Sequence, residues 1–423
     1  MSGSLVHLSA RGIQNSTVCD ADFTPFKSKI HRPSCFAMEA KKIDFGSGTI
    51  KFGGSASAAI TYNADLLTKL YLVVELNSSA SSNAELYDST NKKSKAAFAE
   101  DIGRAMIEEV SLEIGSVTHN KFDDVWLHVS DNYTITGDQQ TTELKGRTFN
   151  GGGLQSNLEE MPFQNHKFYV PLPFWFCQAW HQALPLVAMH LSEARIRLKL
   201  RSKASLIKDI SGGSNTNWAN ALSLNDVYLI GEYVYLNDAT RHAFAKMTHW
   251  FLIKQVQSEN VSVVAGKTSI KQRLSFNHMV TELVWMMRKT SNKTALEYYN
   301  FAGDEEGITI GAPKYDAFKK ASIFLNNNER LMAMDPIYFR VVQPRQFHTC
   351  QPREFVYSYS FALAPEKHSP SGAINLSRIE NVELKLDFSR SGGLNVNYDL
   401  LVYAQNFNMI SVKSGIASLA FAS

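Results

Sequence analysis

The amino-acid sequence predicts an all-β protein made of two antiparallel β-sandwiches in tandem. Three observations support this fold class. Hydrophobic residues recur with a period of two, the chain of 423 residues is long for a single core, and the two halves share a weak repeat. Apolar residues make up 44% and charged residues 20% of the chain, which is the composition of a globular protein. We therefore expect two domains, each with its own separate core.

The clearest period-two segment is Ala194 to Arg201, where apolar residues alternate with basic ones. Ala194, Ile196, Leu198 and Leu200 share one side of the predicted strand, and Arg195, Arg197, Lys199 and Arg201 share the other. Similar alternation occurs around Val110–Ile114, Ile270–Phe276 and Val382–Leu386. Strands with one apolar face are typical of antiparallel sandwiches, because strands of parallel sheets are apolar on both faces. Short helices are predicted around Ala96–Met106 and Asn237–Lys246.

The repeat pairs an aromatic segment and a following proline turn in each half, Pro171–Cys177 and Ala183–Leu186 with Tyr357–Ala362 and Pro370–Gly372, and it includes two further pairs. Ala194–Leu200 resembles Val382–Leu386, and Ser111–Gly115 resembles Ser322–Asn326. The Gly, Ser and Asn residues of 211–217 lie near the midpoint and favour a linker. The predicted organisation is an arm at 1–22, a first sandwich at 23–203, a linker at 204–220 and a second sandwich at 221–423. The long polar stretches are predicted to form exposed loops, and they are 77–97, 137–166, 211–220 and 289–314.

Composition and motifs argue against several functions. Lys and Arg total 43 against 40 Asp and Glu, so the chain lacks the basic excess of a dedicated nucleic-acid binder. The four cysteines are scattered, and no His-x-His pair or phosphate-binding loop occurs. Acidic pairs such as Asp123-Asp124 and single histidines such as His119, His128 and His278 favour ordinary structural roles. We predict no catalytic, cofactor-binding or metal-binding residues, and no cofactor.

Two clusters leave alternatives open. The basic residues Arg195, Arg197, Lys199 and Arg201 either form a solvated strand face or bind a polyanion or an acidic neighbouring subunit. The aromatic residues between Phe168 and Trp180 form either a sandwich core, a subunit interface or a platform for sugars, and the first two are favoured.

Several ordered blocks resemble a known family. These blocks are FTPFK at 23–27, EVSLEIG at 109–115, FYVPLPFWF at 168–176, ALPLVA at 183–188, LSFNH at 274–278, YSFAL at 359–363 and VYAQN at 402–406. They are similar to the major capsid proteins of nucleocytoplasmic large DNA viruses of algae and amoebae, and the similarity extends nearly end to end.

This resemblance implies two tandem eight-stranded jelly rolls. It also implies a structural, non-enzymatic late protein of the virion that forms pseudo-hexagonal homotrimers, which tile an icosahedral shell around a large DNA genome. The implied partners are the chain itself, neighbouring capsomers, minor capsid and penton proteins and an internal membrane, with no sequence-specific nucleic acid. Assembly is expected in the host cytoplasm, with the arm at 1–22 facing the particle interior. The alternative function is a β-sandwich carbohydrate-binding protein or carbohydrate-active enzyme.

Overall fold

The computed structural model describes most of the chain. The described residues are 35–46, 50–78, 87–88, 93–94, 96–99, 101–135, 166–209, 222–303, 315–352, 354–388 and 393–421. From Met38 onward they belong to one compact unit. Within the described ranges, no helix has both the length and the apolar character needed to cross a bilayer.

The first half contains twelve strands and three short helices within the described residues. The strands are β1 (Phe36–Asp44), β2 (Ser55–Ala59), β3 (Leu66–Ser78), β4 (Tyr87–Asp88), β5 (Lys93–Ser94), β6 (Ala96–Phe98), β7 (Ile107–Ile114), β8 (Val117–Asp123), β9 (His166–Pro171), β10 (Ala194–Leu200), β11 (Ile207–Asp209) and β12 (Leu222–Leu236). The helices are α1 (Ile102–Ala105), α2 (Asp124–Thr134) and α3 (Trp175–Gln178), with single 3₁₀ turns at Trp180–Gln182, Leu186–Ala188 and Lys203–Ser205.

The second half follows the same plan. Its strands are β13 (His249–Val263), β14 (Ser269–Leu274), β15 (Met279–Lys289), β16 (Lys320–Leu325), β17 (Asn328–Met334), β18 (Tyr357–Ser360), β19 (Ile374–Asn375), β20 (Val382–Asp387), β21 (Tyr398–Lys413) and β22 (Ile416–Leu419). Its helices are α4 (Asp238–Lys246), α5 (Thr290–Thr294) and α6 (Gln343–Phe347), with a π-helical turn at Tyr338–Val342 and a 3₁₀ turn at Leu376–Arg378.

Both halves contain the same pair of facing antiparallel sheets. In the first half the strand orders are β1-β12-β3-β9 and β2-β10-β7-β8, and in the second they are β13-β21-β15-β18 and β14-β20-β16-β17. When the eight main strands of each half are numbered in chain order, both halves give 1-8-3-6 and 2-7-4-5. This is the jelly-roll order, so the fold class predicted from the sequence is confirmed.

The repeat predicted from the sequence corresponds to equivalent strands. β10 and β20 are the seventh main strands of their halves, and β7 and β16 are the fourth. Along β10, residues are alternately buried and exposed from Ala194 to Leu200, as the period-two pattern predicts. The helix predicted around Asn237–Lys246 is confirmed as α4, whereas the one predicted around Ala96–Met106 is helical only over Ile102–Ala105 (α1), because Ala96–Phe98 forms strand β6.

The predicted domain boundary needs correction. β12 lies between β1 and β3, so Leu222–Leu236 belongs to the first jelly roll and not to the second. β11 pairs with β6, so the linker does not begin at residue 204. Composition alone suggested the linker, whereas the eighth strand of a jelly roll must return to the centre of the first sheet. Residues 210–220 and the arm at 1–22 lie outside the described residues.

Two further expectations are wrong. The buried side chains of the two jelly rolls form one continuous cluster, because α2 packs between the two halves. The polar stretch 289–314 is not simply an exposed loop, because it contains α5 and the buried Tyr298, Tyr299 and Phe301. Residues 304–314 of that stretch lie outside the described ranges.

Leu198 provides a test of the face assignment. It is 1% exposed on β10, opposite Val110 on β7 and Ala56 on β2. We expect Leu198→Asp to lower the free energy of unfolding by about 4 kcal/mol or more, because an unpaired carboxylate would replace a buried alkyl group. Thermal and urea unfolding of the purified chain measure this loss.

The matched control is Lys199→Gln, one residue further along the same strand. Its side chain is exposed and pairs with Glu108, so its melting temperature is expected to stay close to that of the wild type. An unchanged melting temperature for Leu198→Asp would contradict the assignment of the buried face.

Candidate functional site: the junction between the two jelly rolls

Helix α2 lies at the centre of the junction. It begins directly after β8, and the carboxylate of Asp123 caps it by accepting a hydrogen bond from the backbone N–H of Trp126 at 2.9 Å. Val125, Leu127 and Val129 are buried in the hydrophobic cluster. The ring of Trp126 lies 5.4 Å from that of Tyr403 on β21. The helix therefore contacts the second jelly roll while it belongs to the first.

Tyr403 lies on the outer face of the second jelly roll, opposite Val284 on β15. Its hydroxyl donates to Asp123 at 2.6 Å, so the residue that caps α2 also binds β21. Burial raises the pKa of Tyr403 well above its ordinary value, with the nearby Asp123 carboxylate acting in the same direction. Tyr403 therefore stays protonated and continues to donate across the physiological range.

His128 on α2 joins the two halves through a buried set of charges. Its Nδ1 lies 2.8 Å from Asp101 of the first jelly roll, and its Nε2 lies 2.9 Å from Glu354 of the second. The ring stacks on Tyr299 at 3.9 Å. Burial alone would lower the pKa of His128, but Glu354 and Asp101 outweigh burial and hold the pKa well above the ordinary value. An imidazolium between two carboxylates thus bridges the jelly rolls.

His348 forms a second such arrangement within the second jelly roll. Its two ring nitrogens lie 3.0 Å from Glu282 and 3.0 Å from Glu366, and its ring stacks on Tyr133 of α2 at 4.2 Å. Burial would lower the pKa of His348, but the two carboxylates outweigh it and raise the pKa to about 9. Lys254 donates to the backbone carbonyl of Glu366 at 2.9 Å, and burial lowers its pKa to about 8.

Arg201 provides a third connection. It pairs with Asp124, the first residue of α2, at 2.8 Å, and its guanidinium lies 4.1 Å from the centre of the Tyr298 ring. The Tyr298 hydroxyl donates to the backbone carbonyl of Ser205 at 2.9 Å. Burial raises the pKa of Asp124 to about 6, and the Arg201 charge opposes that rise.

Hydrogen bonds also join strands at the edge of the junction. The Asn120 side chain on β8 donates to the backbone carbonyl of Lys254 at 2.9 Å. The Gln255 side chain on β13 donates to the carbonyl of His119 at 2.7 Å. These two bonds run in opposite directions between β8 and β13, so they fix the edges of two sheets side by side.

The turn between β21 and β22 contacts the first jelly roll in a way that requires glycine. Gly415 has a φ of +87°, and a Cβ there would lie 2.6 Å from the ring of His190. Its carbonyl accepts a hydrogen bond from the backbone N–H of Leu191 at 3.0 Å, and the N–H of Ala417 donates to the Ser192 hydroxyl at 3.1 Å. The junction is thus a continuous set of aromatic, ionic and backbone contacts that holds two sandwiches in one orientation.

Two protein-family models together match most of the chain. The model described as the major capsid protein N-terminus matches residues 24–237, and the model described as the large eukaryotic DNA virus major capsid protein matches residues 240–418. The major capsid protein of Pyramimonas orientalis virus is 30% identical over 449 aligned residues, with both chains covered completely. The chain belongs to the major capsid protein family of large eukaryotic DNA viruses. It is a virion component, as the sequence resemblance implied.

Other members of the major capsid protein family support this assignment. The major capsid protein of Paramecium bursaria Chlorella virus 1 is 27% identical, with both chains covered completely. A chain in a quasi-atomic model of the PBCV-1 virus capsid matches with 25% identity and a TM-score of 0.77, covering 95% of this chain and 100% of the other. The Faustovirus major capsid protein shares the fold with a TM-score of 0.72 at 10% identity, covering 98% and 99%. The relatives from Pyramimonas orientalis virus and Paramecium bursaria Chlorella virus 1 are structural capsid proteins, so the prediction of a non-enzymatic protein is confirmed.

The predicted basic face is largely a set of exposed ion pairs. Arg195 pairs with Glu193 at 2.7 Å, Arg197 with Glu113 at 3.0 Å, and Lys199 with Glu108 at 2.8 Å. This arrangement favours the solvated strand face over a polyanion site. Arg201 does not belong to that face, because β10 ends at Leu200 and the Arg201 side chain enters the junction.

The aromatic cluster divides into two groups. Phe168, Phe174, Trp175 and Phe176 are buried in the core, whereas Tyr169 and Trp180 are 50% and 58% exposed. The prediction that these aromatic residues form a sandwich core is therefore confirmed for four of the six residues. Trp175 also reaches the second jelly roll, because its ring lies 5.3 Å from that of Phe251 on β13.

The junction residues were mostly invisible in the sequence. Asp101, His348 and Glu354 have no local motif, and their partners lie far along the chain. The Asp123-Asp124 pair was expected to be ordinary and solvated, yet both residues make junction contacts. No group of His, Cys, Asp or Glu side chains that could hold a metal ion occurs among the described residues.

The His348 network predicts a pH-dependent stability for this capsid protein. Its folded pKa of about 9 exceeds the unfolded value of about 6.5, so the stabilisation is complete below pH 6.5 and is lost as pH rises towards 9. Between pH 6.5 and 8 we expect a net loss of about 1 kcal/mol, because Lys254, whose folded pKa is about 8, begins to deprotonate in the same range and acts in the opposite direction. Urea unfolding across this range measures the loss.

The informative variant is His348→Gln, which keeps a hydrogen-bonding side chain but carries no titratable group. It should be less stable at pH 6.5 and should lack most of the decline between pH 6.5 and 8. His242→Gln, at an exposed position of α4, is the control and should keep the wild-type slope. A parallel decline in wild type and His348→Gln would show that this network does not hold a proton.

Proposed function

We propose that this capsid protein assembles into homotrimeric capsomers with a pseudo-hexagonal outline. The observation that supports the proposal is the identical strand order of the two jelly rolls within one chain. Three such chains around a three-fold axis present six similar sandwiches, so the capsomer packs as a hexagon although its true symmetry is three-fold. The junction supports this role because it fixes the angle between the two sandwiches of each chain.

Further proposals follow from family membership. The capsomers tile an icosahedral shell around a large DNA genome, and they bind neighbouring capsomers, minor capsid proteins and penton proteins. The shell lies over an internal membrane, the protein is made late in infection, and particles assemble in the host cytoplasm. The sugar-binding alternative has less support, because most of the aromatic cluster is buried in the core.

The mass of the purified chain in solution tests the trimer. We expect light scattering after size-exclusion chromatography to give three times 47.3 kDa, and electron micrographs to show particles with a hexagonal outline. A species of 47.3 kDa at micromolar concentration would contradict the proposal, because permanent assemblies of this kind bury thousands of Å² between subunits.

The arm at residues 1–22 is proposed to face the particle interior and to contact minor capsid proteins or the underlying membrane. Deletion of residues 2–20 should leave trimers intact, since the arm lies outside the predicted first jelly roll, while particles fail to assemble or lose inner proteins. Trimer mass and the protein content of purified particles are the two measurements. Normal particles with a full set of inner proteins would refute the role of the arm.

A further inference from the structure

A further polar contact joins the 3₁₀ turn Trp180–Gln182 of the first jelly roll to the second jelly roll. The Gln182 amide nitrogen lies 2.8 Å from Nδ1 and 2.9 Å from Nε2 of His368, which belongs to the loop between β18 and β19. The same amide group donates to the backbone carbonyl of Leu252 on β13 at 3.0 Å. Gln182 is 2% exposed, so the loss of either partner would leave a buried polar group unpaired.

The hydrogen-bond chemistry of this contact requires a neutral His368. A backbone carbonyl only accepts, so the Leu252 oxygen orients the Gln182 amide with its NH₂ group towards both partners. A neutral imidazole has one nitrogen that accepts the second amide hydrogen, whereas a protonated imidazole has donors on both nitrogens. Turning the amide over would satisfy the protonated ring but would place the amide oxygen against the Leu252 oxygen. Protonation of His368 therefore breaks a contact between the jelly rolls in either orientation of the amide.

The cationic groups near His368 also oppose its protonation. The centre of the His181 ring, on the first jelly roll, lies 5.5 Å from the centre of the His368 ring. Lys254 on β13 is buried, and its ammonium group donates to the backbone carbonyls of Pro365 and Glu366 in the same loop as His368. Burial, His181 and Lys254 all lower the pKa of His368 below its ordinary value of 6.5. Protonation would therefore add positive charge beside a buried ammonium group.

The two carboxylates that act on Lys254 are already paired. Glu282 and Glu366 each lie 3.0 Å from a ring nitrogen of His348, whose pKa of about 9 keeps it protonated in acid. Burial would raise the pKa of Glu366, but His348 and Thr349 outweigh burial and hold that pKa below its ordinary value. Acidification between pH 7 and pH 5 therefore leaves the Glu366 end of the loop anchored and acts on the other end.

We propose that Gln182, His181 and His368 form an acid-sensitive latch, which joins the two jelly rolls at neutral pH and opens when His368 gains a proton. The folded chain binds this proton less readily than the unfolded chain does. The stabilisation from the latch is therefore complete above pH 6.5 and is lost as pH falls below that value. This direction is opposite to that of the His348 network, which loses its stabilisation as pH rises. The latch lies within one chain, so it does not depend on the proposed trimer.

Hydrogen–deuterium exchange of the full chain, read by mass spectrometry, tests the latch. In the wild type, exchange in peptides that cover 180–183 and 363–371, corrected for the intrinsic effect of pH, should rise more than about 5-fold between pH 7 and pH 5. Each unit by which the pKa of His368 is lowered allows up to about a tenfold shift of the opening equilibrium. Global unfolding is a poorer probe, because the pKa of Asp124, which burial raises to about 6, makes its titration act in the opposite direction in this range.

Two variants separate the latch from other effects of acid. His368→Gln removes the titratable group at a partly exposed position, so the variant should fold, and its corrected exchange should stay constant between pH 7 and pH 5. Gln182→Met removes the amide and should show at pH 7 the fast exchange that the wild type shows only at pH 5. His242→Gln, exposed on α4, is the matched control and should keep the wild-type response.

Exchange of the imidazole C2 hydrogen, also read by mass spectrometry, measures the pKa of His368 itself. We expect a pKa below 6.5 in the wild type and a higher pKa in Gln182→Met, in which the amide no longer favours the neutral ring. A backbone exchange rate that rises equally in the wild type and in His368→Gln would overturn the latch, as would a wild-type pKa of 6.5 or above. Neither result bears on the proposed trimer, which the mass in solution tests separately.

Discussion

The constraint on which the structure depends is the apolar outer face of the second jelly roll. Val284 and Tyr403 lie on a side of the sheet that solvent would reach in an isolated sandwich, and they need a cover. Helix α2 and its N-cap provide it, since Trp126 packs on Tyr403 and the Asp123 carboxylate accepts a hydrogen bond from the Tyr403 hydroxyl. The second jelly roll is thus complete only in the presence of the first.

Buried ionic groups give this contact a defined geometry. A purely hydrophobic contact between two sandwiches would tolerate sliding, whereas the His128 ring must lie within hydrogen-bonding distance of both Asp101 and Glu354. Breaking such a set leaves uncompensated charge in a buried place, which is costly. The angle between the two sandwiches is therefore tightly fixed, and the proposed capsomer needs that property to match its neighbours.

The sequence predicted those parts of the fold that depend on local pattern. β10 and β20 each have one solvent-facing side, so the alternation of apolar and polar residues in the sequence indicated both strands. β15 did not stand out, because Leu283 and Val284 are buried on opposite faces and alternation disappears. The boundary was misplaced because β12 pairs with β3, more than 140 residues earlier in the chain. The bridge from His128 to Glu354 spans 226 positions, and no local motif could indicate it.

The position of the eighth strands has a consequence for how the chain folds during synthesis. β12 and β21 lie inside their sheets, each between the first and third main strands, although they are the last main strands of their halves to be made. The sheet of the first half cannot close until residue 236 has left the ribosome, and that of the second half cannot close until residue 413 has done so. Each half therefore waits with two open sheet edges, which are prone to pair with other chains. Rapid emergence of these two segments, or their protection by a chaperone, would limit aggregation of this capsid protein.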